Sequence, residues 1–233
     1  MSANTSIQVL VLAAGAGTRF GSPKQLAAVN GVPMLRLALD RALSLSLAGA
    51  QVSVVLGAHA GEIAPVLGRL AVNVVVNRQW QEGMSSSIRA GVASVPGSVG
   101  GVLLLLADQV GVSEGDLQRL CDAWRRNPGS IVAAQYGGGH GVPALFPRSQ
   151  FALLLSLRGE RGARSLLRGG GLGIIGVPMP SAARDIDTRE ELASWEASLD
   201  AEAGERGSGA TWRGPTLVLD ERAAGGEGLE LEA

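Results

Sequence analysis

Ile7-Gln8-Val9-Leu10-Val11-Leu12-Ala13-Ala14-Gly15-Ala16-Gly17-Thr18-Arg19-Phe20-Gly21-Ser22-Pro23-Lys24 runs from an apolar, β-branched stretch straight into a glycine loop. Residues 7–13 are short and almost continuously apolar, which reads as a strand buried on both faces of a parallel sheet. A loop that leaves such a strand lies at the carboxyl end of the sheet, where α/β folds bind ligands. Gly15 and Gly17 let backbone amides approach phosphate oxygens with no Cβ in the way. Arg19 and Lys24 add two positive charges to the same loop. Arginine forks onto a phosphate and lysine acts as a point charge. Two familiar glycine motifs fail here. The dinucleotide fingerprint needs a third glycine where Phe20 stands, and the mononucleotide loop needs Gly-Lys followed by Ser or Thr, whereas Lys24 follows Pro23 and precedes Gln25. The loop is therefore an anion-binding loop of another type.

Outward from this loop, strands and helices alternate. Helical spacing of Leu and Ala marks residues 33–47, and strands are expected at 51–57 and 72–76 with a helix at 61–70 between them. A helix is expected over 84–95, with Ser85, Ser86 and Ser87 at its start, where hydroxyls can cap free amides. Residues 101–107 form the most apolar strand and belong at the centre of the sheet. Residues 113–127 read as an amphipathic helix with Ser113 as N-cap and Asp116 in its first turn. Strands at 130–135, 142–146 and 173–177 and helices at 148–157, 162–168 and 188–199 complete the pattern, with Thr188 capping the last. Alternation implies right-handed βαβ units. The expected fold is α/β, a three-layer sandwich whose mostly parallel twisted sheet has an antiparallel edge. It occupies residues 1–199, and residues 200–233, rich in Glu, Gly, Ala and Ser, are expected to form a flexible tail.

The 233 residues carry a net charge of -1, so no global basic field draws in nucleic acid or an anionic membrane. Cys121 is the single cysteine, which excludes an intrachain disulfide; with only two histidines, a zinc site is not expected either. Its spacing with Leu117, Leu120 and Trp124 marks a buried structural thiol. The apolar segment 103–107 is far too short to span a bilayer, and no basic segment precedes the first strand. A cytoplasmic protein is the expectation.

The string from Leu12 to Leu26, LAAGAGTRFGSPKQL, resembles the signature of the MobA/MocA-like nucleotidyltransferases, and the likeness can be followed to about Leu192. It implies a GT-A-like fold and a loop that holds a nucleoside triphosphate, with Leu12, Ala13, Ala14, Gly15 and Gly17 around it and Arg19 and Lys24 neutralising it. Asn77 with Glu82-Gly83-Met84-Ser85-Ser86-Ser87 resembles the family block that lies against base and ribose, which implies nucleotide-binding roles for Asn77, Gly83, Ser86 and Ser87. Trp80 reads as packing. Asp108, directly after the central strand, faces the same crevice as the loop. Mg²⁺ is held by one or two carboxylates plus phosphate oxygens and water, and Asp108 can supply one ligand. Asp185-Ile186-Asp187-Thr188 resembles the closing block of the family, in which Asp187 matches a metal ligand. Asp108 and Asp187 are thus the expected metal pair for Mg²⁺ or Mn²⁺, and Arg19, Lys24 and Asp108 the expected catalytic residues.

Ala107-Asp108-Gln109 and Lys24-Gln25-Leu26 resemble the cytidylyl branch and favour CTP over GTP, although Val110 stands where that branch has proline. The segment 137–147 and Gly159-Glu160-Arg161-Gly162-Ala163-Arg164 resemble blocks on the acceptor side, with Glu160 in place of the usual Asp. His140, Arg161 and Arg164 are candidates to meet an anionic acceptor; surface charge is the alternative. The implied reaction is attack by an acceptor phosphate on the α-phosphorus of the nucleotide, with a molybdopterin-type cofactor as the expected acceptor. Another phosphorylated acceptor, or a maturation role toward a molybdenum enzyme client, stands as the alternative.

Overall fold

The computed structural model of the chain describes residues 4–45, 49–160, 162–168 and 173–205. Among them, the strands are β1 (Ile7–Ala13), β2 (Ala28–Val29), β3 (Val32–Pro33), β4 (Gln51–Leu56), β5 (Asn73–Val76), β6 (Gly101–Leu106), β7 (Ile131–Tyr136), β8 (Gly139–Pro147) and β9 (Ile174–Pro178). The helices are α1 (Met34–Ser44), α2 (Ala60–Leu67), α3 (Met84–Ala93), α4 (Glu114–Arg126), α5 (Phe151–Ser156), α6 (Arg164–Leu167) and α7 (Arg189–Glu205). Seven strands form one sheet in the order β5-β4-β1-β6-β8-β7-β9. β1 is parallel to β4 and to β6, and β6 is the middle strand, as its apolar run implies. β8 alone is antiparallel to its neighbours, β6 and β7, so the antiparallel element falls in the second half of the chain, as expected.

β1 is buried at every position because both of its faces are covered. Val9 and Val11 join the cluster of Leu35 and Leu39 from α1 and Leu117, Leu120 and Trp124 from α4. Leu10 and Leu12 point the other way, into the cluster of Ile88 and Val92 from α3 and Phe151 and Leu154 from α5. The period of two along the strand thus builds the three layers directly. Each large side chain taken fully from water stabilises by about 1.5–3 kcal/mol. Gln8 is the polar exception in β1, and its Nε2 donates to Ser53 Oγ of β4 at 3.0 Å. Cys121 lies in this core, and burial pushes its thiol up to about 11, which makes it an inert packing residue.

Three local features differ from expectation or add to it. β2 and β3 form a small hairpin ahead of α1, closed by Asn30-Gly31 with φ of 50° and 80°. Two successive positive φ values define a type I′ turn, for which Asn-Gly is the preferred pair. The serines of α3 do not cap it. Gly83 occupies the cap position without a side-chain bond, and Ser85, Ser86 and Ser87 lie buried within the first turn. Ser86 Oγ donates back to the Gly83 carbonyl at 2.8 Å and accepts from Asn77 Nδ2 at 2.8 Å, so its hydroxyl is already committed. The last helix runs to Glu205, beyond the expected end at Leu199. The chain divides into units Met1–Glu196 and Ala197–Ala233, and of the expected tail 200–233, residues 206–233 lie outside the described residues. No helix among the described residues is long and apolar enough to cross a membrane.

Ser113 caps α4 as expected, in a reciprocal capping box with Asp116. Burial alone would raise the Asp116 carboxyl. Hydrogen bonds from the Ser113 amide and hydroxyl, Ser181 and Arg119 outweigh that effect and hold it below the usual range. A depressed folded-state value means that the stabilisation is present above the unfolded value near 3.9 and is lost as pH falls through the folded value. Replacement Asp116→Ala should therefore cost about 1–2 kcal/mol at neutral pH. Urea titrations at several pH values should show the gap to wild type closing as pH falls below the unfolded value near 3.9.

Candidate active site

β1 and β6 are paired in register from Ile7↔Gly101 to Leu12↔Leu106, so the chain segments that leave their carboxyl ends emerge side by side. The first is the glycine loop and the second is Asp108. Gly17 has φ of 65°, and its carbonyl accepts from the amides of Phe20 and Gly21, both at 3.0 Å, so the loop folds back on itself. A Cβ at residue 17 would collide with the Ser22 carbonyl. At Gly15, by contrast, a Cβ would meet no protein atom within 4 Å. That space is open. Arg189 fixes the far side of the loop by donating to Ser22 Oγ at 3.1 Å and lying over the Phe20 ring.

Gln25 was not singled out as a site residue from the sequence, yet it holds the loop from inside. Its Nε2 donates to the carbonyls of Ala13 at 2.9 Å and Gly15 at 2.7 Å, and its buried Oε1 has no hydrogen-bond partner. The signal was the apposition of Lys24 and Gln25 in one short 3-10 turn, Lys24–Leu26, which sends neighbouring side chains to different sides.

The third segment arrives through a backbone bond. Ile186 N donates to the Asp108 carbonyl at 3.1 Å and brings Asp187 beside the carboxyl ends of β1 and β6. Thr188 caps α7 as expected. Its Oγ1 accepts from Glu191 N, while the Glu191 carboxylate accepts from the amides of Thr188 and Asp187. Asp187 itself is left free to face the loop. Lys24 Nζ lies 2.5 Å from Asp108 Oδ2, 2.8 Å from Asp187 Oδ1 and 3.3 Å from the Ile186 carbonyl. Arg19 reaches Asp187 Oδ2 at 2.9 Å. The two expected cations and the two expected metal carboxylates therefore meet at one point.

Their mutual field is legible in the protonation equilibria. Burial alone would lower Lys24, but Asp108 and Asp187 outweigh it and raise the ammonium above its usual value. Burial likewise opposes ionisation of Asp187, and Lys24 and Arg19 overcome it and hold the carboxyl low. Asp185 is different. Desolvation and the like charges of Asp108 and Asp187 push it up to about 6, although much of its side chain remains at the surface.

These residues line a cleft of about 390 Å³, within the ordinary range for a small-molecule site. Leu12, Ala13, Ala14, Gly15, Gly17, Arg19, Lys24, Gly83, Ser87, Asp108 and Asp187 all face it. Asn77 and Ser86 do not. Asn77 is buried behind the wall, where its Nδ2 holds the hydroxyls of Ser86 and Ser87 at 2.8 and 3.1 Å. Asn77 bonds Ser87, and Ser86 Oγ donates to the Gly83 carbonyl, so both contact residues that line the cleft. Trp80, Gln81, Met84 and Glu160 are lining residues beyond those expected. Gln109 turns away from the cleft and donates to the carbonyls of Val142 and Ala182, each at 2.9 Å. His140 and Arg164 line a separate cavity, and Arg161 lies outside the described residues.

The oxygens around Lys24 suit a hard divalent cation. Asp108 Oδ1 is buried with no hydrogen-bond partner, while a positive group already stands between the two carboxylates. Among the described residues no cluster of three or more His, Cys, Asp or Glu side chains could hold a metal. Two carboxylates with phosphate and water are the donor set Mg²⁺ typically takes.

The profile of the MobA-like NTP transferase domain matches residues 9–174. The chain is 31% identical over 195 residues to the nicotine blue oxidoreductase of Paenarthrobacter nicotinovorans, covering 78% of this chain and 93% of that one. It is 30% identical over 193 residues to the purine catabolism protein PucB of Bacillus subtilis, covering 77% and 91%. Among solved structures, the homologue of Mycobacterium tuberculosis Rv0371c from Mycobacterium sp. strain JC1 superposes with a TM-score of 0.74 at 26% identity, covering 84% of this chain and 98% of that one. Rv0371c of Mycobacterium tuberculosis H37Rv in complex with manganese gives 0.70 at 27%, covering 82% and 98%. By this match, and by the sheet and loop that carry it, the chain belongs to the MobA-like NTP transferase family.

Proposed function

We propose that this protein is a Mg²⁺-dependent nucleotidyltransferase that uses CTP and transfers CMP to a phosphorylated, molybdopterin-type acceptor. The observation that carries the reading is the convergence of Arg19 and Lys24 with Asp108 and Asp187 in the cleft above β1 and β6. In the reaction an acceptor phosphate oxygen forms a bond to the α-phosphorus, the α–β bridging P–O bond breaks, and pyrophosphate leaves with the electron pair. Charge repulsion dominates the barrier, so positioned cations supply most of the catalysis. Arg19 and Lys24 are placed to receive the charge that grows on the leaving pyrophosphate. The glycine loop, held by Gln25, offers its amides to the phosphates. Ser87 and Trp80 line the same cleft and are the side chains this reading assigns to ribose and base. Asp108 and Asp187 are the residues that would hold Mg²⁺, which when bound supplies Lewis-acid neutralisation of the α-phosphate. The complex of Rv0371c with manganese supports a divalent ion in this family.

CTP is favoured by the Lys24-Gln25-Leu26 string, with Gln25 lining the cleft. Gln109, the other marker, supports it less, because its side chain is spent on the backbone of β8. One relative is named an oxidoreductase. The glycine loop here has Phe20 where the dinucleotide fingerprint needs its third glycine, so that activity fits the loop less well.

A thermal-shift panel of CTP, GTP, UTP and ATP with Mg²⁺ tests the nucleotide. Binding at a hundredfold excess over Kd should raise Tm by on the order of 5–10 °C for the cognate nucleotide. A flat response to all four would falsify the reading, and a larger response to GTP would move it to guanylyl transfer.

A second test addresses the role of Asp108. Asp108→Asn keeps the shape and removes the charge. Pyrophosphate release should fall by about 10²–10³-fold, with a much smaller change in nucleotide KM. Turnover at the wild-type rate would take Asp108 out of the chemistry.

A further inference from the structure

A second cavity, of about 530 Å³, lies beside the sheet and has no part in the site described above. Arg164, Arg168 and His140 are among its lining residues, both arginines are exposed, and none of the described lining residues is acidic. Neither arginine makes an ion pair among the described residues. Arg164 lies over the Tyr136 ring, with its Cζ 5.8 Å from the centroid, which steadies the guanidinium without neutralising it. The His140 imidazole lies over Gly176, where a Cβ would stand 2.9 Å from its Nε2. Asp185 acts on Arg164 through space but not at ion-pair distance, so the two guanidinium groups and the imidazole keep donors for an anion.

Its position relates it to the cleft. The Tyr136 hydroxyl donates to the Val142 carbonyl at 3.1 Å, and the same carbonyl accepts from Gln109, the neighbour of Asp108, at 2.9 Å. Tyr136 ends β7, two strands from β6, which at ordinary strand spacing is about 10 Å. A lateral offset of that size is wider than a single phosphate.

Resting on the nucleotidyltransferase reading, we propose that the acceptor is anionic at both ends. One end is the phosphate that attacks at Asp108 and Asp187. The other is a second anionic group, about 10 Å away, seated on Arg164, Arg168 and His140. The cavity thereby selects acceptors by length and by charge at the far end, and a simple monophosphate lacks half of the recognition.

The chain has only two histidines, which allows a site-specific readout. Inorganic phosphate is titrated into the full chain at fixed pH, and both imidazoles are followed by NMR. His140 signals should move to saturation, while His59, paired with Glu62 at 2.8 Å, stays as the control. The double variant Arg164→Gln/Arg168→Gln should weaken this response by about tenfold or more and leave the CTP-induced thermal shift unchanged. In a second arm with Mg²⁺, 1,6-hexanediol bisphosphate should bind about tenfold more tightly than hexyl phosphate, and the double variant should erase that advantage. A silent His140, or a response that survives in the double variant, overturns the anion site. Equal affinities for the two hexyl compounds overturn the two-ended acceptor. A CTP shift in wild type beside either result leaves the nucleotidyltransferase reading standing, whereas a missing CTP shift with a responsive His140 sinks that reading and not the cavity.

Discussion

The ammonium of Lys24 between Asp108 and Asp187 is the contact on which the site depends. It ties together three segments that are distant in sequence: the glycine loop, the end of the central strand and the entry to α7. Each group is mostly withdrawn from water, and an isolated charge there would be costly. Two carboxylates converging without a cation would repel each other until one took up a proton. Lys24 prevents this, and Arg19 adds a second cation on Asp187. Asp185, which has no such partner at hydrogen-bond distance, shows the alternative, because its carboxyl is driven upward.

The neighbouring residue carries the complementary task. Lys24 faces the charges, and Gln25 faces inward to fasten the backbone of Ala13 and Gly15. A single turn therefore couples the electrostatics of the cleft to the shape of the loop. The cations and carboxylates balance two against two, so the site is organised before any ligand arrives. Charges assembled in advance lower the cost of organising a site for electrostatic stabilisation. The sheet supplies the rigidity. β1 and β6 are parallel neighbours at the centre, covered on both faces, and their register holds their carboxyl ends side by side.

Much of the wall is organised at one remove. Asn77 and Ser86 never reach the cleft, yet they position Ser87 and Gly83, which do. Gln109 likewise links the end of β6 to β8 and to the 180–183 turn. These residues look alike in sequence to residues that touch a ligand, because polar side chains near a strand end serve either purpose.

Local pattern alone determined the layered α/β fold, the glycine loop, the central strand with Asp108 behind it, and the caps Ser113 and Thr188. These follow from periodicity and from short-range hydrogen bonding, which operate within a few residues. The Asn30-Gly31 hairpin was equally local and equally legible, since both residues take positive φ. It lies directly ahead of the stronger helical pattern of α1. Tertiary structure decided the rest. Whether Lys24 meets phosphate or carboxylate, whether Ser86 caps a helix or accepts from Asn77, and whether Arg164 shares a cavity with His140 all depend on distances between segments far apart along the chain. Period and propensity carry no such distances; only the packing of the layers and the order of the strands fix them.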